Sequence, residues 1–127
     1  MEISHVQAYQ YDKYLNGDTN YPLLHGHMGV AWYLDKSSVV VKQDDAIAHK
    51  FAENIIMVSA DKDYSLISTA TLWFCQRMKR EEFFEAYVRS TKGEWRNFQV
   101  DSPYGADQVI VNAFKLGWKE AFRVSWP

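Results

Sequence analysis

Twenty aromatic rings (five Trp, eight Tyr and seven Phe) have to be housed by a chain of 127 residues whose one cysteine can make no internal disulfide. By the usual scaling, a chain of this length removes roughly 14,000 Å² from water on folding, and twenty rings at about 200 Å² each account for about 4,000 Å² of it. A real core is therefore within reach without a disulfide or metal staple. Trp and Tyr are seldom completely buried, so some of the rings are expected at the surface, where aromatic side chains dominate interfaces.

Charge and targeting signals narrow the class. The formal net charge of −2 disfavours a protein whose main task is coating nucleic acid or anionic membrane. The single cysteine, Cys75, fits a reducing compartment, and the first five residues lack the basic segment and apolar run of a signal peptide. No apolar stretch approaches the roughly 20 residues of a membrane helix. The expectation is one cytoplasmic, soluble globular domain spanning residues 1–127. Charge placement is uneven: residues 1–64 carry nine acids and five lysines, whereas all five arginines (Arg77, Arg80, Arg89, Arg96 and Arg123) lie in the second half.

Apolar spacing predicts helices. From Asp44 onward, Ile47, Ala48, Phe51, Ala52, Ile55, Ile56 and Val58 follow the three-and-four rhythm of an amphipathic helix, with Asp44 or Asp45 as its cap. The rhythm recurs from Gly105 or Asp107 to Arg123, through Ile110, Ala113, Phe114, Gly117, Trp118 and Ala121. Gly117 on that apolar face points to close approach of another backbone. Ser65–Arg89 reads as two helices meeting near Arg80, with Gly93 ending the second. Near the N-terminus, Ser4 and Gln7 fit a capping box and Asn16-Gly17 a stop, yet Tyr9 and Tyr11 are spaced as on a strand. Val30–Leu34 and Ser38–Lys42 fit a β-hairpin. The fold class expected is mostly α: a compact irregular bundle of four to five short helices, with an α+β variant carrying a small β-hairpin near 30–42.

Candidate chemistry is sparse. His25 and His27, two apart, project to one side of an extended segment, and Asp45, His49 and Glu53 would form one stripe of a helix. Joined in space, His25, His27, His49 and an acid would make a site for zinc or another divalent transition metal, with hydrolytic or ligand-binding use. Cys75 lies among apolar neighbours, where burial suppresses the thiolate. No nucleophile elbow, phosphate-binding loop, dinucleotide fingerprint or C-x-x-C pair is present, and the pairs Asp44-Asp45 and Glu81-Glu82 suit caps and turns. The segment Arg77–Arg96 interleaves bases with Phe83, Phe84, Tyr87 and Trp95, the chemistry of weak single-strand binding, but Glu81, Glu82, Glu85 and Glu94 dilute its charge.

What remains is binding without chemistry or cofactor. Aromatics and arginines concentrate at interface centres, and the rings least explained by a core are Tyr9, Tyr11, Tyr21, Trp32, Trp95, Tyr104 and Trp126. The reading is a small binding or regulatory protein that acts through a protein partner or as a homo-oligomer. Its candidate interface residues are Tyr9, Tyr11, Trp32, Trp95, Arg96 and Trp126; nucleic acid and membrane are the disfavoured partners.

Overall fold

A computed structural model describes residues 10–80 and 83–127. Its architecture is mostly β, the reverse of the helical bundle expected. Six antiparallel strands run in sequence order, each hydrogen-bonded to the next: β1 (Leu23–His27), β2 (Val30–Asp44), β3 (Ala48–Ser59), β4 (Ser65–Arg80), β5 (Phe83–Ser90) and β6 (Arg96–Phe98). The sheet curls into a half-barrel. Its hollow receives the one α-helix among the described residues, α1 (Gln108–Phe122).

Only α1 matches the helical expectation. The segment from Ala48 onward is β3, and 65–89 falls in the antiparallel strands β4 and β5, with β4 ending at Arg80, where two helices were expected to meet. The reason is that i and i+4 share a face on a strand as well as on a helix. Both faces of β3 are filled: Phe51 and Ile55 point into the hollow, while Ala48, Ala52 and Val58 are buried against other groups. A strand buried on both sides carries the near-continuous apolar run that periodicity cannot distinguish from a helix. The hairpin expected near 30–42 is instead one long strand, irregular between Asp35 and Val40. The true hairpin turn precedes it: Met28 and Gly29 both take positive φ (50° and 82°), which matches the right-handed twist of the flanking strands. Asp45, one of the two expected helix caps, caps no helix: its carboxylate accepts hydrogen bonds from the Ile47 and Ala48 N–H groups and so closes the β2–β3 turn. Asn16-Gly17 sits in a short 3-10 turn, and the proposed capping box at Ser4 and Gln7 lies outside the described residues.

The hollow is filled by rings. Phe51 and Phe74 lie on neighbouring strands with centroids 5.3 Å apart, and Phe114 of α1 sits 5.9 Å and 5.6 Å from them. Phe98, Trp118, Phe122 and Trp126 complete the cluster. Asn112 anchors the helix by donating to the Leu24 carbonyl, 2.6 Å away. Gly117 does mark a close approach, but of side chains rather than backbone: a Cβ there would overlap the Glu53 carboxyl and press on the Phe51 ring.

The outer, convex face has a smaller core of its own, with Ala31, Tyr33 and Val58 under Tyr11, Leu15, Tyr21 and Tyr64. The tyrosine hydroxyls tie residues 11–12 down: Tyr33 donates to the Asp12 carbonyl, Tyr64 accepts from the Asp12 N–H, and Tyr11 accepts from the Gly29 N–H. Burial raises the Tyr33 phenol pKa, which keeps it a donor. Beyond this cluster no helix or further strand among the described residues covers the convex face.

Candidate functional site

Strand alternation assembles a polar and aromatic surface on the open part of the convex face. Three cross-strand rows carry it: Ala52, Trp73 and Arg89; Lys50, Cys75, Tyr87 and Asn97; Ala48, Arg77 and Glu85. The Arg89 guanidinium carbon stands 4.5 Å from the Trp73 ring centre and 5.1 Å from that of Trp95, and Lys42 Nζ lies 4.9 Å from Trp73. Lys42, Trp73, Arg89 and Trp95 thus form a continuous ladder of cations and rings. Arg89 is also fixed by donating to the Thr91 carbonyl at 2.9 Å. Arg77 lies 6.0 Å from the Tyr87 ring.

Beside the ladder opens a groove of about 470 Å³, lined by Gln43, Ala46, Ile47, Ala48, Lys50, Cys75, Arg77, Tyr87 and Trp95. Lys50 and Arg77 supply its positive charge; Ile47, 75% exposed at the β2–β3 turn, supplies an apolar rim. Glu85, an acid on this face, accepts a hydrogen bond from the Tyr87 hydroxyl, and that bond raises the phenol's pKa. Cys75 lines the groove but is buried, and burial raises its thiol pKa against the opposing pull of Lys50 and Arg77. It is a poor nucleophile there.

The three candidate metal-binding histidines are not brought together. His25 and His27 stack with centroids 6.4 Å apart, beside Trp32. Burial, and then the neighbouring His27, lower the His25 pKa. His49 lies at the other end of the sheet: Trp32 pairs with Met57, and eight residues of β3 separate Met57 from His49, roughly 26 Å. His49 instead hydrogen-bonds Asp44 at 2.7 Å and packs its ring on Trp118 and Phe122. Among the described residues no three His, Cys, Asp or Glu side chains gather as metal ligands. Asp45, His49 and Glu53 form no polar stripe of three: Asp45 is in a turn, while His49 and Glu53 share the hollow-side face of β3, where Glu53 is sealed and His49 packs on rings.

The expected interface residues scatter. Trp95 joins the ladder. Tyr11 covers the small convex core, Trp32 packs against the hollow's cluster, and Trp126 folds back onto Phe114 and Trp118, with centroids 5.0 Å and 4.9 Å away. Arg96 is exposed and pairs with Val88, whose side chain faces the hollow; Tyr9 lies outside the described residues. Three contributors were not anticipated: Lys42, Lys50 and Trp73. The period-two spacing Trp73-x-Cys75-x-Arg77 with Tyr87-x-Arg89 is the signal that could have found them.

Compared with protein-family models, with curated proteins and with solved structures, the chain matches none. Among the described residues no helix is long and apolar enough to cross a membrane.

Proposed function

We propose that this protein is a binding module whose convex face docks an acidic segment of a protein partner, one that also presents apolar side chains. The observation that carries this reading is the Lys42–Trp73–Arg89–Trp95 ladder running beside a groove that holds Lys50 and Arg77. Four cations share a face of a chain whose net charge is −2. Each cation–ring contact at an exposed site stabilises the fold by only about 0.5–1 kcal/mol. Its larger effect is to hold long, flexible cations in place, which lowers the entropic cost of binding an anion.

Polypeptide is favoured over single-stranded nucleic acid by what occupies the rings. Bases bind by stacking on free aromatic faces. Here Lys42 and Arg89 already lie over Trp73, and Arg89 over Trp95. Ala46, Ile47 and Ala48 add an apolar wall that suits aliphatic side chains.

Fluorescence anisotropy with a labelled peptide of alternating Glu and Leu tests this. The expected result is micromolar affinity that weakens as salt shortens the screening length from about 10 Å at 0.1 M to about 3 Å at 1 M. Arg77→Glu should weaken it roughly tenfold or more, about 1.4 kcal/mol. A Lys–Leu peptide binding equally well, or an oligothymidylate binding more tightly, would overturn the proposal.

A further inference from the structure

The meander leaves part of one strand's outer edge unpaired among the described residues. β4 pairs with β3 from Ser65 onward, but β5 reaches only as far as Leu72, opposite Ser90. Along Ser65–Thr71 the outer edge of β4 therefore pairs with no other strand among the described residues. Every residue from Ser65 to Ala70 is exposed, with Leu66 at 65% and Ile67 at 47%. Sheet edges are ordinarily guarded by lysine, proline, inward charge or bulges. This stretch, Ser-Leu-Ile-Ser-Thr-Ala, has no charge and no proline; its one guard is a bulge at Ile67.

We infer that the free edge of β4 pairs antiparallel with the same edge of a second copy of this chain, joining two half-barrels into one continuous sheet. Two features favour a second copy. The stretch is uncharged, so a two-fold pairing of Ser65 with Ala70 and of Ile67 with Ser68 opposes no like charges. The flanks are complementary: Asp63 precedes the strand, and Lys92 follows Ser90 at the point where β5 stops. An antiparallel partner entering the position that β5 vacates carries its own Asp63 toward that turn. Six paired residues fall short of the roughly 1,200 Å² of a stable interface, so the dimer is dissociable. The edge is separate from the convex groove, so this inference stands or falls independently of the acidic-segment reading.

Sedimentation velocity across a concentration series of the full chain reads it directly, and a monomer–dimer equilibrium is expected. Ile67→Lys and, separately, Thr69→Lys should each weaken dimerisation tenfold or more while circular dichroism stays unchanged. Ser68→Cys in a Cys75→Ser background should oxidise to a disulfide-linked dimer, whereas Ser125→Cys in the same background should not. A strict monomer at millimolar concentration, or a dimer that survives both lysines, would overturn the inference.

Discussion

The two faces of this sheet receive the same class of residue and use it in opposite ways. Trp73 and Phe74 are adjacent in sequence and project to opposite sides. Phe74 is fully buried, with Phe51, Phe98 and Phe114 all within 6 Å between ring centres. Trp73 stays half-exposed under Lys42 and Arg89. In the hollow, ring meets ring and water is excluded; on the convex face, ring meets cation and water remains. Aromatic content alone therefore says little about function until the face is known. The hollow carries stability, and recognition is proposed for the convex face.

Truncation separates these roles most sharply. Phe114→Ala, at a fully buried position, should lower unfolding free energy in denaturant by about 3–5 kcal/mol. Trp73→Ala, which removes two cation–ring contacts and part-buried ring surface, should lose about 1–2 kcal/mol while impairing peptide binding. Equal losses of stability at both positions would erase the contrast.

Glu53 is the hollow's exception and offers the next test. It is 1% exposed, neither carboxyl oxygen has a hydrogen-bond partner among the described residues, and burial raises its pKa well above the ordinary 4.5. The folded state thus holds this proton more tightly than the unfolded chain does. Stability from this group is complete below about pH 4.5 and drains away as pH rises toward the folded-state value. Glu53→Gln cannot ionise, so it should be the more stable protein at pH 7, by up to about 3 kcal/mol, with the gap closing toward pH 4.5. Parallel stability profiles for the two proteins would show that Glu53 does not stay protonated in the hollow.

A smaller effect is expected at Gly117, where alanine ordinarily favours a helix. Gly117→Ala should instead lower stability by about 1–3 kcal/mol, because the added Cβ meets Glu53 and Phe51. Part of that loss should return in a Glu53→Ala background, as a double-mutant cycle in denaturant would show.

What could be read in advance follows the same division. Helix α1 was legible because one stripe faces the hollow and the rest faces water: Phe114 and Trp118 are buried while Lys115 and Lys119 are exposed. β3 was illegible because it is buried on both sides, and Glu53 interrupts the alternation that would have marked it as a strand. The candidate site was half legible. Tyr87, Arg89 and Trp95 lie within the basic–aromatic segment Arg77–Arg96, but Lys42 and Lys50 arrive from β2 and β3 only through strand register. The histidine cluster failed for the matching reason, since register sets His25 and His49 at opposite ends of one sheet.

On the convex face the smallest structural effect should carry the largest functional one. Arg89→Ala, which removes two cation–ring contacts, should lower stability by only about 1–2 kcal/mol and still abolish most affinity for the acidic peptide in anisotropy.

The most direct test of convex-face docking is an NMR titration of the five tryptophan indole N–H resonances with the Glu–Leu peptide. The resonances of Trp73 and Trp95 should shift saturably while those of Trp118 and Trp126 stay in place. Shifts confined to Trp118 and Trp126, or none at millimolar peptide, would contradict the assignment of recognition to this face.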